Sequence, residues 1–249
     1  MMKCPRCSTS TRQHKIGFTT SKSQRYKCQH CQKKYTPEPK HRGYPKSLRQ
    51  LALKMYLEGV NFRRIGRLLN VHHQSVINWV NAYADELPEA PVPKQVDDVE
   101  MDELFTFIGS KKNRIYIILF VDRATRCILG WRVSFARDGS IMQDILYETV
   151  QGNAYYSDLF SGYQTVLYWP AIHYPMPNKS ETYSVEGDNA ELRHYLARLA
   201  RKSRCFSRCE KALRKAVKIF VIAFNKRQLY KEQYPKYPAH LINFIHPLT

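Results

Sequence analysis

The sequence lacks the features of membrane-spanning and secreted proteins. It has no run of about 18 consecutive apolar residues, which a transmembrane helix would require. Its first ten residues, MMKCPRCSTS, lack the apolar segment of a signal peptide. Both absences favour a cytoplasmic protein without a membrane partner. Thiols stay reduced in that compartment, so the seven cysteines predict metal binding or free thiols rather than a disulfide framework.

Acidic residues are few and unevenly distributed. The chain of 249 residues carries 40 Lys and Arg against 21 Asp and Glu, a formal net charge of +19. Residues 1–96 and 182–249 are strongly basic, whereas acids outnumber bases in residues 97–181. Basic flanks around an acidic middle favour a polyanion bound from both sides, with carboxylates concentrated where cations bind. Because 43% of the residues are hydrophobic, the chain can form a core, which argues against low-complexity disorder.

Two Cys-x-x-Cys pairs lie near the N-terminus. Cys4 and Cys7 are separated by 20 residues from Cys28 and Cys31, a spacing typical of a four-thiolate zinc site. Each pair directs two thiolates at one tetrahedral ion, and a short hairpin connects the pairs. A redox function would need one pair rather than two. We therefore predict a zinc ribbon over residues 1–40 that binds one Zn²⁺.

Residues 41–84 predict a helix-turn-helix DNA-binding domain. A first helix ends at Gly59, Asn61 can cap a second, and a turn at 70–72 leads into a third. Gly66 lies where two of these helices must approach closely, and Leu51 and Leu68 fall on the predicted apolar stripes. The alternative is a purely structural three-helix bundle.

The last helix of such a unit enters the major groove through its N-terminal half. The predicted contacts to base edges are His73, Gln74, Ser75 and Asn78. The predicted contacts to phosphates are Arg63, Arg64 and Arg67.

Residues 85–96 contain three prolines and no helical or strand period, which predicts a linker. Residues 97–249 then predict a separate α/β domain. Its elements are three successive strands, a helix at 139–150, a short strand ending at Asp158, and helices at 186–202 and 208–229. The predicted fold class is therefore multidomain α+β, with a zinc ribbon, a helix-turn-helix domain and a C-terminal α/β domain with a mixed sheet.

Three acids stand out by their positions. Asp102 lies in the first predicted strand of the last domain, Asp158 ends a later strand, and Glu186 heads a helix. Ribonuclease-H-like folds deliver their metal ligands in this order. Two Mg²⁺ or Mn²⁺ ions about 3.5–4 Å apart, held by shared carboxylates, can promote attack on a phosphodiester. Asp98 or Glu100 is the alternative to Asp102 if the strand register shifts by an even number of residues.

The helix that Glu186 heads combines an acid with a basic face. Glu186, Asn189 and Arg193 share one side at helical spacing, so the acid can face metal ions while basic side chains hold DNA. Gly187 weakens this prediction, because glycine disfavours helix interiors. Asp122 opens a turn between strands, which favours a structural role.

The chain resembles the transposases of the insertion sequence one family, within the group that uses an Asp-Asp-Glu triad. The resemblance extends over nearly the whole chain. It rests on CPRC and CQHC, the helix-turn-helix, MDELFTFIGSKKNR at 101–114, SDLFSGY at 157–163, and VEGDNAELR followed by RLARKSRCFSRC at 198–209.

The resemblance implies a ribonuclease-H-like DDE transposase that binds the terminal inverted repeats of its own element. Asp102, Asp158 and Glu186 match the catalytic, Mg²⁺-binding triad. Water would attack a phosphodiester to free a 3′-hydroxyl, which would then attack target DNA. Residues that match DNA-contacting or site-supporting positions are Asn189, Arg193, Arg201 and Lys202.

The expected partner is double-stranded DNA, both the element ends and the target, bound by a homodimer or larger homo-oligomer at the bacterial nucleoid. A different function stays open on the sequence alone. The chain would then be a sequence-specific DNA-binding regulator with an inactive nuclease-like domain.

Overall fold

The structure is a computed structural model that describes residues 2–39, 43–177, 183–199 and 205–245. It divides into two compact units, Met1–Pro45 and Lys46–Thr249. None of the helices in these described ranges is long and apolar enough to cross a membrane.

The first unit is a small antiparallel sheet. Its strands, in the order β1-β2-β3, are β1 (Gln13–Phe18), β2 (Gln24–Cys28) and β3 (Lys34–Tyr35). Cys4 and Cys28 are buried, although the unit has few other buried side chains. A unit with so small a core needs a further source of stability, and metal binding is a common one.

The second unit begins with three helices, α1 (Lys46–Leu57), α2 (Phe62–Leu68) and α3 (His73–Glu86). Asn61 caps α2 by accepting a 3.0 Å hydrogen bond from the Arg64 amide, as its sequence position predicts. His72 caps α3 in the same way through Nδ1, which accepts from the Gln74 amide at 3.2 Å. A Cβ on Gly66 would lie 2.8 Å from the Val71 carbonyl oxygen, so the predicted close approach at this glycine is confirmed.

Two leucines of the predicted apolar stripes are exposed instead. Leu51 is 46% exposed and Leu68 is 66% exposed. The buried face of α1 is centred on Leu53 and Leu57, and Ile65 supplies the buried contact of α2. The prediction was wrong for Leu51 and Leu68 because a helical stripe read from sequence does not fix the rotation of the helix against its neighbours.

A five-stranded mixed sheet forms the centre of the second unit, and its order is β6-β5-β4-β7-β8. Neighbours among β6, β5 and β4 are antiparallel, whereas β4, β7 and β8 are parallel. The predicted mixed sheet is therefore confirmed. The strands are β4 (Asp98–Phe107), β5 (Arg114–Asp122), β6 (Ile128–Ser134), β7 (Ala154–Ser157) and β8 (Ile172–Pro175).

Helices cover both faces of this sheet. They are α4 (Gly139–Glu148), α5 (Ser161–Gln164), α6 (Tyr183–Tyr195), α7 (Glu210–Gln233) and a 3₁₀ helix at Leu241–Phe244. Alternate residues of β5 belong to two different hydrophobic cores. Ile118 and Phe120 pack with α4 on one face of the sheet, and Ile117 and Leu119 pack with α6 and α7 on the other. This two-sided burial explains why β5 is almost continuously apolar.

Helix α6 differs from the predicted helix at 186–202. It begins three residues earlier, at Tyr183, and ends at Tyr195. The predicted DNA-contacting residues Arg201 and Lys202 lie outside the described residues.

The predicted linker at 85–96 is packed against α7. Lys218 Nζ donates to the Leu87 carbonyl oxygen at 2.7 Å, and Asn225 Nδ2 donates to that of Pro91 at 2.9 Å. Helix α3 also contacts α7, and both contribute to one core. The division into 41–84, 85–96 and 97–249 stays a prediction.

Candidate active site

Asp102 lies on the central part of β4, with its side chain on the face that α6 covers. Glu100, Asp102 and Leu104 share this face by strand alternation, whereas Val99 and Met101 pack with the α4 side. Asn189 of α6 donates a 2.7 Å hydrogen bond from Nδ2 to Asp102 Oδ2. This bond joins the strand and the helix that carry two of the predicted acids.

Asp158 immediately follows β7, the parallel neighbour of β4. Glu100 pairs with Tyr156, so the same register continued by two residues brings Asp158 beside Asp102. Adjacent strands lie about 4.8 Å apart. Asp158 Oδ1 accepts a 2.9 Å hydrogen bond from the Phe160 amide, which holds the carboxylate at the turn into α5.

Glu186 lies in the first turn of α6 and is half-buried. Asn189 follows it by three residues, so the two side chains share the helix face that contacts β4. Arg193 lies one turn further along and is also half-buried. Asn189 is buried and bonded to Asp102, which favours the site-supporting role over the DNA contact among the two that its position predicts.

The two alternative ligands on β4 are engaged elsewhere. Glu100 is fully buried, and its carboxylate accepts hydrogen bonds from Arg123 and from two backbone amides of α6. Asp98 forms an ion pair with Arg123, with 3.6 Å between Oδ2 and Nη1. Because these contacts hold both carboxylates, the geometry favours Asp102 over Glu100 and Asp98.

Two further acids near the site have structural partners. Glu103 lies on the opposite face of β4, where Arg137 pairs with it and the Tyr163 hydroxyl donates to it at 2.7 Å. Burial, with the nearby Glu103 charge, raises the pKa of Tyr163 well above its usual value. Asp122 Oδ2 accepts from the Thr125 amide at 2.9 Å, which confirms its predicted turn role.

The donor chemistry of the site fits a divalent ion of the Mg²⁺ type. Carboxylate and amide oxygens are the ligands that Mg²⁺ and Mn²⁺ prefer. The buried Asn189 Oδ1 has no hydrogen-bond partner among the described residues, so a polar atom beside Asp102 is available to a bound water or ion. The oxygens of Asp102, Asp158 and Glu186 do not all lie within 4.8 Å of one another. Ions that bridge them would therefore draw them together.

The four cysteines do form a compact cluster, and within the described ranges theirs is the one group of metal-binding side chains that meets this limit. Cys4 Sγ lies 3.6 Å from Cys31 Sγ, and Cys7 Sγ lies 3.6 Å from Cys28 Sγ. Sulfurs bound tetrahedrally to zinc at about 2.3 Å would be about 3.8 Å apart. Hydrogen bonds with the side chain and backbone of Thr9 lower the pKa of Cys7 to about 5, which favours the metal-binding thiolate.

The predicted DNA-reading surface of the helix-turn-helix is accessible. Arg63, Arg64 and Arg67 are all exposed along α2. On α3, Gln74 and Asn78 are exposed and joined by a 3.0 Å hydrogen bond from Gln74 Nε2 to Asn78 Oδ1. His73 and Ser75 are half-buried at the start of α3. A pre-formed amide pair of this kind presents donors and acceptors suited to base edges.

Three residues that shape the site have no motif in the sequence: Glu100, Arg126 and Asn225. Glu100 and Arg126 contact the first turn of α6, and Asn225 joins α7 to β6. Their signal in the sequence is weak because each acts on a backbone group distant along the chain.

Known protein families match two parts of the chain. A family described as IS1 transposase matches residues 96–230, and one described as homeodomain-like domain matches residues 45–90. The first match spans more than half of the chain and includes the three predicted acids. No curated protein matches the chain.

Two solved structures of viral integrases are similar at low identity. One is the HTLV-2 integrase catalytic core domain in complex with magnesium, trimeric form, at 12% identity and a TM-score of 0.31, covering 63% of this chain and 83% of that chain. The other is the simian T-cell lymphotropic virus intasome in complex with PP2A regulatory subunit B56 gamma. It has 12% identity and a TM-score of 0.34, covering 79% of this chain and 66% of that chain.

Proposed function

The chain belongs to the IS1 transposase family, and on that premise we propose that it cuts DNA at the ends of its own insertion sequence and joins those ends to target DNA. The helix-turn-helix binds the terminal inverted repeats, and Asp102, Asp158 and Glu186 form the catalytic site. The observation that carries this proposal is the convergence of β4, β7 and α6. This proposal is supported by the pairing of β4 with β7, which Asp158 follows, and by the bond from Asn189 of α6 to Asp102 of β4.

The reaction has two steps at one site. Water adds across a phosphodiester bond at the element end, which leaves a 3′-hydroxyl and a 5′-phosphate. The 3′-hydroxyl then attacks a phosphodiester of the target and displaces its 3′-oxygen, so one phosphodiester replaces another without an external energy source. Bound Mg²⁺ or Mn²⁺ would supply charge neutralisation at the phosphate and activation of the attacking oxygen.

The side chains of the chain itself orient these groups. In this proposal, Asp102 of β4 and Asp158 after the neighbouring strand β7 hold one edge of the site, and Glu186 in the first turn of α6 completes it. Asn189 donates to one oxygen of Asp102 and so orients this carboxylate within the site. Arg193, one turn beyond Asn189, supplies positive charge for the DNA strand beside the acids.

Incubation of the protein with labelled end DNA and Mg²⁺ or Mn²⁺ tests this function. We expect cleavage and strand joining by the unaltered protein, and neither reaction by Asp102→Ala or Glu186→Ala, although both variants still bind the ends. A random duplex of equal length serves as the control and should be cut far less. Cleavage that survives both substitutions would contradict the assignment, and end binding without any cleavage by the unaltered protein would favour a DNA-binding regulator.

A further inference from the structure

The first turn of α6 receives its hydrogen-bond partners from the sheet. Glu100 of β4 accepts from the Ser184 amide at 2.8 Å and from the Val185 amide at 3.0 Å, both through Oε2. The first amides of a helix have no partner within the helix, so they need an acceptor from elsewhere. A carboxylate also interacts favourably with the positive end of the helix dipole. Glu100 therefore serves as a cap supplied by a distant strand.

The charge of Glu100 is fully buried and is compensated by Arg123. Arg123 Nε donates to Glu100 Oε1 at 2.8 Å, and the guanidinium stacks 4.1 Å above the Tyr156 ring. Ser184 and Val185 are buried as well. Removal of the carboxylate would leave two buried amides without their acceptor and would take from Arg123 one of its two carboxylate partners, which is costly.

Arg126, in the turn between β5 and β6, holds the same turn of α6 from another direction. Its Nη2 donates to the Ser184 carbonyl oxygen at 2.7 Å and to Asp188 Oδ1 at 2.5 Å. A Cβ on Gly187 would lie 2.7 Å from this nitrogen. The glycine that disfavours a helix by its propensity thus makes room for the guanidinium.

These contacts bracket Glu186. On its N-terminal side, Ser184 and Val185 are bonded to Glu100; on its C-terminal side, Asn189 is bonded to Asp102. Glu100 and Asp102 are two residues apart on one strand and point to one face. A single rigid strand therefore holds both ends of the helical segment that carries Glu186.

We infer that Glu100 is a positioning residue that fixes Glu186 relative to Asp102, and that it touches neither DNA nor metal itself. This inference rests on the proposed function, because it assigns Glu100 to the alignment of the same site. Its consequence is that divalent-ion affinity depends on Glu100, although end binding by the helix-turn-helix does not.

Glu100→Gln is the test variant, and Glu191→Gln is its matched control. Glutamine keeps the size of the side chain, but it has one acceptor oxygen and no charge for Arg123. Glu191 lies on α6 itself, away from the first turn of that helix, and accepts a hydrogen bond from Arg227 Nη2 at 2.7 Å. Both substitutions therefore remove a carboxylate from one ion pair in contact with α6.

Three measurements on the full-length, zinc-loaded protein decide the inference. Electron paramagnetic resonance titration of free Mn²⁺ should give an affinity about 10- to 100-fold weaker for Glu100→Gln, as for loss of other groups that orient metal ligands. Hydrogen exchange should accelerate at the Ser184 and Val185 amides in that variant. Cleavage should need correspondingly more Mn²⁺, with unchanged end-DNA affinity. Glu191→Gln should match the unaltered protein in all three.

The possible failures are distinguishable. If Glu100→Gln binds Mn²⁺ and cleaves like the unaltered protein, the inference is wrong and the proposed function stands. If the unaltered protein neither binds Mn²⁺ nor cleaves, the proposed function fails, and the inference about alignment of its site fails with it. If Glu100→Gln does not fold, Arg126→Lys serves as the test variant. Lysine keeps the positive charge but cannot reproduce both hydrogen bonds of Arg126, to the Ser184 carbonyl oxygen and to Asp188. This variant should then weaken Mn²⁺ binding, and an unchanged affinity would overturn the inference.

Discussion

Asn189 donates a 2.7 Å hydrogen bond to Asp102, and this bond links α6 to β4, the two elements that carry Glu186 and Asp102 of the proposed site. Asn189→Ala would remove this donor from Asp102 Oδ2, and with it one of the contacts that orient the carboxylate. We expect end cleavage to fall about 10- to 100-fold, as for loss of other groups that orient metal ligands. A gel-based cleavage assay at saturating end DNA measures this loss.

End binding separates this role from a direct DNA contact. Because Asn189 is buried, the Asn189→Ala variant should bind end DNA as tightly as the unaltered protein. Ala190→Ser, at the exposed neighbouring position, serves as the control and should cleave normally. A loss of end affinity in Asn189→Ala that matches its loss of cleavage would instead show that Asn189 acts on DNA.

The sequence predicts the order of strands and helices in the second unit well, because long apolar runs such as β5 and the stripe of α7 have unmistakable periods. It does not predict the start of α6 at Tyr183. The cap of that helix is Glu100, which is more than eighty residues away, whereas sequence rules look for a cap next to the helix. Long-range capping also explains how the helix tolerates Gly187.

The sequence predicts no strand at the position of the edge strand β8, for a related reason. Its four residues include Pro175, and Ile172 is exposed, so no alternating pattern identifies it. It forms by parallel pairing with β7, a contact that depends on the tertiary fold. By contrast, the sequence predicts a short strand ending at Asp158, because Tyr155 and its neighbours have a clear strand composition, and β7 ends one residue earlier, at Ser157.

The helix-turn-helix surface predicts two different effects of substitution. Arg64→Ala removes a proposed phosphate contact, so end binding should weaken for all sequences. The slope of log affinity against log salt concentration should become shallower by about one. Gln74→Ala removes a base contact, so it should cost about 1–3 kcal/mol on the cognate repeat and relax its sequence preference. Fluorescence anisotropy with cognate and random duplexes at several salt concentrations measures both. Lys46→Ala, an exposed basic residue on α1, is the control, and equal effects of all three substitutions would contradict the assignment.

The cysteine cluster predicts one structural zinc ion. Elemental analysis of freshly purified protein should give about one zinc per chain, as a single four-thiolate site implies. Cys28→Ser should lose this zinc and weaken end binding, because the basic ribbon would no longer fold. Thermal unfolding of the Lys46–Thr249 unit should be unaffected, since it has its own core. Freshly purified protein without zinc would contradict this prediction.

Asn225 should stabilise the fold, because its side chain joins α7 to β6 and to the segment before β4. Its side chain accepts from the Ile128 amide at 2.9 Å and donates to the carbonyl oxygens of Ile128 and Pro91, each at 2.9 Å. Asn225→Ala would leave buried backbone groups without partners, so we expect a loss on the order of 3 kcal/mol in the free energy of unfolding. Urea denaturation measures it, with the exposed Lys231→Ala as control on the same helix. Equal stabilities of the two variants would show that water replaces these bonds.

His173 on β8, close to Asp158 along the sheet edge, should make the stability of the fold depend on pH. Its Nε2 and the Ser157 hydroxyl lie 2.9 Å apart, and burial lowers the pKa of the imidazole below its usual 6.5. The unfolded chain therefore takes up the proton more readily than the folded chain. The contribution of His173 to the free energy of unfolding is fully present above pH 6.5 and is lost as the pH falls through the lowered pKa. The melting temperature should fall between pH 7.5 and 5.5, and it should fall less in His173→Gln.

Differential scanning calorimetry at the two pH values measures this difference, and His194→Gln at an exposed position is the control. His194→Gln should keep the full pH dependence of the unaltered protein, because its ring is in solvent in the folded chain. The comparison separates the two positions, since both substitutions remove an imidazole but only that of His173 is partly buried. An equal fall of the melting temperature in His173→Gln and the unaltered protein would mean that protonated His173 is accommodated in the fold, against the desolvation argument.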